Sequence, residues 1–576
     1  MSLYTATINL IQVLYCIFIS AHRTISPHFM RYIALFRGLY QYSAYLYFYS
    51  DLNMALLPNY LSGEWTVGKG AVIPLLDPVR GTELARVSSE GANYGAALRH
   101  ARSVGGPALR SLSYRERAQL LEHIAQVLAS KRETYYQIAL ENSGSPKSDA
   151  AIDIEGAIFT LKYFARLGSA LGTGRFLQEG EPTSLAKNDA YQTLHVGTPL
   201  RGAAVLINAF NFPAWGLWEK AAPALLSGVP VFAKPASATA WLAQRMVEDV
   251  IAASVLPAGA LSISCGRAGD LLDHVESEDI VLFTGSAQTA QHIRAHAAIA
   301  SRSARVNIEA DSLNAAILGR DATAAAEITN LFVREVVREM TVKAGQKCTA
   351  IRRILVPIDL IEPVTEALSA QLSRIVVGDP CNASVQMGPL VSKEQQRTVR
   401  EGIASLAEES TIVFDGASSS SVMTTDLQEG AFVSPTLLRQ SHPYFARTVH
   451  TTEVFGPVAT LMPYRDTENA LQLASLGRGS LVCSLFTDDP DLIHSAAAEL
   501  AADHGRVHIV TTATGATQTG HGNVMPMSLH GGPGRAGGGQ ELGGLRALRM
   551  FHQFSAIQAP ADALRRLTER AVLYRP

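Results

Sequence analysis

The stretch that decides the fold runs from Gly202 to Ala310. It opens "GAAVLINAF" (202–210), "AWGLWEKAAPALLSG" (214–228) and "VPVFAKP" (229–235). The first and third are short apolar runs and read as buried strands; the second, ended by Gly228, reads as a helix. The alternation continues through "ATAWLAQRMVEDVIAAS" (238–254), a helix, and then "LSISCG" (261–266) and "DIVLFTGS" (279–286), strands on either side of the helix-prone Ala268–His274. A further helical segment precedes "RVNIEA" (305–310). Strands that alternate with helices pair in parallel through right-handed crossovers, so the fold class expected is α/β with a doubly wound sheet. Ligands of such sheets bind beyond the carboxyl ends of the strands.

Upstream, "YLSGEW" and "IPLLDPVRGTELARVS" read as short strands of an opening hairpin, and helical periodicity covers Ser113–Ser130 and Asp149–Leu171. "AKNDAYQTLHV" (186–196) has the alternation of an exposed strand. Downstream, a second α/β run spans Asp311 to about Val510, with strands such as "RRILVP", "ATLMPY" and "SLVCSLF". The tail then turns glycine-rich: "HGGPGRAGGGQELGGLRAL" (530–548) has eight glycines, too many for a helix, and reads as backbone packed close to a neighbour. The first fifty residues differ from all of this. They hold 8 of the 18 tyrosines, and no acidic residue precedes Asp51. Met54 is the expected start, with residues 1–53 as translated upstream sequence; the alternative is a membrane tether through the uncharged run Leu3–Ser20, which Thr5, Thr7, Asn9 and Gln12 weaken.

Among the 576 residues, 49 are basic and 51 acidic, which gives no electrostatic reason to expect nucleic acid or an anionic membrane as partner. The five cysteines (Cys16, Cys265, Cys348, Cys381 and Cys483) form no CxxC pair and no finger-like spacing. That argues against a disulfide framework or a structural metal, and for the cytoplasm. Cys348, in "KAGQKCTA", is either a small core residue or a thiol activated by Lys343 and Lys347, since nearby cations lower a thiol's pKa. Glu309 follows an apolar strand and is either a surface cap or a buried general base. Asn211 is a turn residue or an oxyanion donor. Lys234 is a surface lysine or a ligand group, and Gly285–Ser286 a plain turn or a phosphate cradle.

Taken together, "NFP", "KP", "FTGS", "E", "GQKC" and "EVFGPV" stand in the order and approximate spacing of the aldehyde dehydrogenase superfamily, which this chain resembles from Leu61 to its C-terminal region. "INAFNFP", "EADSLN", "REVVREMT", "AGQKCTAIRR" and "HGGPGRAGGG" resemble the branch acting on CoA-linked semialdehydes, in aerobic benzoyl-CoA and phenylacetate degradation. The phenylacetate protein carries an added hydratase domain, and the chain ends at Pro576 directly after the dehydrogenase region, so the benzoate-pathway type is expected.

The resemblance implies a Rossmann-like cofactor domain (54–185 and 201–309), a catalytic domain (310–548) and an oligomerisation element (186–200 and 549–576), in a homodimer or homotetramer. It implies Cys348 as nucleophile, Asn211 with the Cys348 N–H as oxyanion donors, Glu309 as base for the hydrolytic water, Lys220 on the proton path and Glu541 as its relay. Lys234 would bind the adenosine ribose, Gly285 and Ser286 the pyrophosphate, and Glu453 and Phe455 the nicotinamide end. Arg535 and His530 are expected at the substrate mouth, against the CoA portion of the aldehyde, and no metal is expected. The sequence departs from the family in two places. "EADSL" replaces "ELGGK" around the base, which removes flexible glycine there. Ser237 stands where NAD-preferring members place a glutamate that repels a 2′-phosphate, so NADP is favoured over NAD. A CoA-acylating dehydrogenase, a general aliphatic one and a catalytically idle structural homologue are the rival readings; the presence of both Glu309 and Cys348 speaks against the first and last.

Overall fold

The computed structural model describes residues 56–323, 325–418 and 429–575. The expectations for residues 1–53, including the tether, lie outside these residues. Among the described residues, no helix is long and apolar enough to cross a membrane.

Helix α1 (Tyr114–Ser130) starts at a capping box: the Ser113 hydroxyl accepts from the Glu116 N–H at 3.3 Å, and the Glu116 carboxylate accepts from the Ser113 N–H at 2.7 Å. Helix α2 (Lys147–Leu171) packs its apolar face against α1 in the largest core cluster. Strands β1 (Phe176–Ser184) and β2 (Tyr191–Pro199) leave this layer for a separate sheet. Then comes the decisive stretch: β3 (Ala204–Ile207), α3 (Trp215–Ser227), β4 (Val231–Lys234), α4 (Ala240–Ala252), β5 (Leu261–Ile263), β6 (Ile280–Thr284), α5 (Ala287–Ala295) and β7 (Arg305–Glu309). The five strands are parallel, in the spatial order β7-β6-β3-β4-β5, and the hairpin strands Asn59–Leu61 and Glu64–Thr66 extend the β5 edge antiparallel. Strand order reverses between β3 and β6, which opens a crevice at their carboxyl ends. Asn208–Asn211, Gly285–Ser286 and Glu309 all sit at that edge. Ala268–His274 is less helical than its composition predicts: only the 3₁₀ turn Leu271–His274 forms, after Gly269 at φ +52°.

The second run builds a seven-stranded sheet from β8 (Ala315–Leu318), β9 (Arg353–Pro357), β10 (Thr411–Asp415), β11 (Thr436–Arg439), β12 (Val458–Tyr464), β13 (Ser480–Phe486) and β14 (His504–Val510), with helix α6 (Glu327–Thr341) against it. Its order is β10-β11-β12-β9-β8-β13-β14, parallel except for β10. The glycine-rich tail forms a hairpin, β15 (Leu529–Gly531) with β16 (Gln540–Leu542). The third sheet joins β1 and β2 to β17 (His552–Pro560) and β18 (Ala571–Tyr574). It takes in Phe176–Ser184, which composition alone does not separate from the preceding helices.

The hairpin loop is packed against backbone, as its composition predicts. Gly539 donates to the Ile308 carbonyl at 3.0 Å, and Ala310 donates to the Ala536 carbonyl at 3.0 Å, so the loop clamps both sides of Glu309. A methyl group on Gly539 would lie 2.3 Å from the Ile308 carbonyl oxygen. Gly539→Ala should therefore destabilise the fold by about 1–3 kcal/mol, the usual cost of overpacking. Chemical denaturation of the variant checks this; an unchanged midpoint would show that the clamp yields without cost.

Candidate active site

Cys348 follows an unusual piece of backbone. Lys343, Ala344 and Gly345 occupy the left-handed region in succession, at φ +54°, +52° and +68°. Such conformations disfavour side-chain-bearing residues, and surrounding contacts must hold them. The Lys343 N–H donates to Asp149 of α2 at 2.7 Å, and the Asn314 amide donates to the Cys348 and Ala350 carbonyls at 2.8 and 3.0 Å. The nucleophile's loop is thus fixed from both halves of the molecule.

Cys348 is partly exposed in a cavity of about 490 Å³ that Asn211, Phe212, Trp215, Glu219, Thr284, Glu309 and His530 also line. The expectation that lysines activate this thiol is not met. Lys347 is tied to Glu339 at 2.6 Å, and the Lys343 ammonium lies over the Phe212 ring, 4.7 Å from its centre. Burial, and then the Glu309 carboxylate beside it, push the Cys348 thiol well above its ordinary pKa. A thiol so raised is neutral at rest, and it hydrogen-bonds to the neighbouring Glu309 carboxylate.

Glu309 is buried at the end of β7, with one oxygen 3.4 Å from the Thr284 hydroxyl and the other 3.2 Å from His530 Nε2. Burial alone would raise its pKa; the imidazole and the Lys220 ammonium outweigh that and hold the carboxyl below the usual range, at about 2. His530 is raised in turn, burial being outweighed by Glu309. Behind them Lys220, from α3, meets Glu219 at 2.6 Å and Glu541 at 2.8 Å, all three buried. The carboxylates hold Lys220 cationic in spite of its burial. Burial raises Glu541 to about 7, against the lowering effect of Lys220, and Asn307 donates to its other oxygen at 3.0 Å. His530 and Glu541 are direct cross-strand partners on β15 and β16, so one hairpin supplies both groups.

The structure places the two residues expected at the substrate mouth apart from each other. His530 lines the catalytic cavity itself, against the base, because its strand is clamped beside β7. Arg535 does not line that cavity; its guanidinium donates to the Thr451 carbonyl at 2.9 Å, on the Glu453 side of the loop.

The cofactor residues follow the crevice. Lys234 ends β4, buried, its ammonium donating only to the Pro235 carbonyl at 3.0 Å. The Ser237 hydroxyl donates to the Gly266 carbonyl at 3.0 Å. Ser286 caps α5, accepting from the Thr289 N–H at 3.2 Å, and the Gly285 N–H donates to the Glu309 carbonyl at 3.2 Å. Glu453 is raised to about 8 by burial, more than Arg352 at 3.9 Å lowers it. One Glu453 oxygen accepts from the Ser312 N–H at 3.3 Å; the other is buried and, beyond the ion pair with Arg352, has no hydrogen-bond partner among the described residues. Phe455 packs edge-on against Phe210, ring centres 5.8 Å apart. These residues fit a dinucleotide laid across the β3–β6 switch point.

Several functional groups escaped sequence reasoning. Glu219 was signalled only as one of two charges in an otherwise apolar helix. Asn208 lines the cavity with both side-chain heteroatoms buried and unpartnered. Asn314, Asp311 and Ser312 lie inside the quoted "EADSLN" but were assigned no task.

A partly exposed cysteine and a buried carboxylate share one cavity beside the crevice of a doubly wound sheet, the setting of a nicotinamide-dependent dehydrogenase. The chain belongs to the aldehyde dehydrogenase family, whose profile matches residues 65–556. It is 54% identical over 477 residues to the 3,4-dehydroadipyl-CoA semialdehyde dehydrogenase of Aromatoleum evansii, covering 83% of this chain and 93% of that one. It is 45% identical over 179 residues to the protein MaoC of Klebsiella aerogenes, 31% of this chain and 52% of that one. Lactaldehyde dehydrogenase from Escherichia coli shares the fold, with a TM-score of 0.76 at 21% identity over 88% of this chain and 99% of its own.

Of the groups that lower the Glu309 carboxyl, His530 acts most strongly. In His530→Phe, burial acts on Glu309 with one fewer opposing cation, so its pKa rises. The acid limb of the kcat–pH profile should move to higher pH; a limb that stays in place would mean that Lys220 alone sets Glu309.

Proposed function

We propose that this enzyme oxidises 3,4-dehydroadipyl-CoA semialdehyde, or a closely similar CoA-linked semialdehyde, to the carboxylic acid with NADP. The observation that carries the reading is the pairing of the Cys348 thiol with the buried Glu309 carboxylate in one cavity, in a chain with a relative of that activity at 54% identity. Glu309 takes the Cys348 proton, and the thiolate attacks the aldehyde carbon. The Asn211 amide and the Cys348 N–H stabilise the oxyanion. Nicotinamide, when bound, would accept the hydride that the oxyanion adduct expels, and loss of that hydride leaves an acyl thioester on Cys348. Glu309 then removes a proton from water for hydrolysis.

Each turnover loads protons onto Glu309, and Lys220 with Glu541 provides the outlet. A carboxyl poised near pH 7 accepts and releases a proton at little cost. Lys234 and Glu453 hold the two riboses, Phe455 the nicotinamide end, and Gly285 with Ser286 the pyrophosphate. Ser237 leaves room for the 2′-phosphate. We assign residues 54–185 and 201–309 to cofactor binding, 310–548 to catalysis, and 186–200 with 549–576 to assembly as a homodimer or homotetramer in the cytoplasm. Initial rates over free and CoA-linked aldehydes test the substrate; a free aliphatic aldehyde turned over faster than the CoA-linked semialdehyde overturns that choice.

Glu309→Gln should lose about 10²–10⁴-fold in steady-state turnover, the usual contribution of a positioned base. If its main role lies in hydrolysis, a first burst of reduced cofactor survives in stopped-flow; unchanged steady-state turnover refutes its role as base. Ser237→Glu should shift preference from NADP toward NAD by roughly 1–4 kcal/mol of repulsion. An unchanged ratio of kcat/KM for the two cofactors would place the 2′-phosphate elsewhere.

A further inference from the structure

Cys348, His530 and Glu309 bring sulfur, nitrogen and oxygen donors together on one wall of the cavity, and one donor atom from each lies within 4.8 Å of the others. No spacing in the sequence announces this set, because β7, the loop after α6 and β15 each contribute one residue. We infer that the three side chains form a binding site for a borderline divalent cation of the Zn²⁺ class, whose occupation reversibly blocks the nucleophile.

The geometry is close to what such an ion needs. Tetrahedral Zn²⁺ has bonds of about 2.0–2.3 Å, which sets its ligand atoms about 3.3–3.6 Å apart. The His530–Glu309 edge is already 3.2 Å. That Glu309 oxygen is buried and faces the His530 ring nitrogen, so a cation that takes the place of the proton between them meets its lone pair. The Cys348 side chain closes the remaining gap from its partly exposed position. Three protein ligands then leave a fourth position facing the open cavity, the arrangement of an accessible zinc site.

Charge favours a cation as well. Glu219, Glu309 and Glu541 surround the single Lys220 ammonium, and their donor oxygens cluster within 4.8 Å. Donor type selects the ion: thiolate with imidazole suits Zn²⁺ and Co²⁺ and not Mg²⁺ or Ca²⁺. Binding forms bonds from Sγ, Nε2 and Oε1 to the metal and releases the Cys348 proton, with that of His530 where it is protonated; no electron is transferred. The ion occupies the atoms that the aldehyde must reach, so it competes with aldehyde. The block on aldehyde rests on the proposed role of Cys348 as nucleophile; metal binding itself does not, and it is measurable without turnover.

The test uses the full chain in a Cys16→Ser, Cys381→Ser background, because Cys381 is an exposed thiol. Co²⁺ is titrated and the thiolate-to-cobalt charge-transfer band is followed, with nicotinamide nucleotide binding as the check that each variant is folded. One equivalent should give the band, Zn²⁺ should displace it, and Mg²⁺ should not. Cys348→Ser should abolish the band. His530→Phe and Glu309→Gln should each weaken cobalt binding at least about 10-fold, since even losing a residue that only hydrogen-bonds to a metal ligand costs that much. Absence of the band, or a band whose affinity is the same in His530→Phe and Glu309→Gln, overturns the site; the latter would mean a simple thiol adduct. If His530→Phe fails to bind nucleotide, His530→Gln takes its place, with the same loss of affinity expected and an unchanged affinity equally decisive.

Discussion

One buried ammonium organises the catalytic half of this molecule. Lys220 is almost wholly excluded from solvent, within ion-pair distance of Glu219 and Glu541, and near Glu309. A lone charge in such a place costs several kcal/mol, and so does each carboxylate around it. None of the four is stable there without the others. The cluster fixes the docking of α3 against the β15–β16 hairpin, and the hairpin in turn clamps the end of β7. Removing Lys220 would leave like charges facing each other, so this is a structural constraint before it is a catalytic one. The raised Glu541 is its direct consequence: three carboxylates share one ammonium, and a proton goes where the balance is worst.

The segment "EADSLN" works through the same logic of shared ties. Glu309 faces the cavity. Asp311 accepts from the Ala287 N–H at the start of α5 at 2.8 Å, and the Ser312 N–H reaches Glu453. Asn314 holds the Cys348 backbone, and its own oxygen accepts from the Val482 N–H at 3.0 Å. Six consecutive residues therefore tie together Glu309, the start of α5, Glu453 and the Cys348 backbone. Glycines at this point would loosen that linkage. The departure from the family pattern thus exchanges local flexibility at the base for rigid registration of four parts of the site.

Much of this was legible in the sequence because each element announces itself locally. The β3–β7 alternation needs only period and punctuation, and the strand ends then nominate Asn211, Lys234 and Glu309. The glycine density of residues 530–548 correctly implied close backbone approach, since a loop with side chains could not lie on the Ile308 carbonyl. What stayed hidden depends on partners far apart in the chain. Lys343 and Lys347 read as activators of Cys348 because they are adjacent in sequence. Their charges are spent on Phe212 and Glu339, contacts that only the left-handed turn and the packing of α6 create. His530 and Arg535 read as one polar mouth because five residues separate them. The turn between β15 and β16 sends one to the base and the other to the Thr451 carbonyl.

The base itself poses the sharpest physical question. A carboxylate held at about 2 is a weak acceptor, yet the proposed mechanism asks it to take a proton from a thiol and then from water. The conflict resolves through the proton count on His530. While the imidazole is cationic it pairs with Glu309 and suppresses its basicity. When it is neutral, the same burial that isolates Glu309 from water raises its pKa, opposed by Lys220 and by the hydrogen bond from Cys348. Burial and charge thus act in opposite directions on one carboxyl, and a single proton on its neighbour decides which prevails. A glutamate with no such neighbour would be fixed as base by burial alone; here the hairpin that supplies His530 also supplies Glu541, so the strength of the base and the outlet for its proton are set by the same two strands.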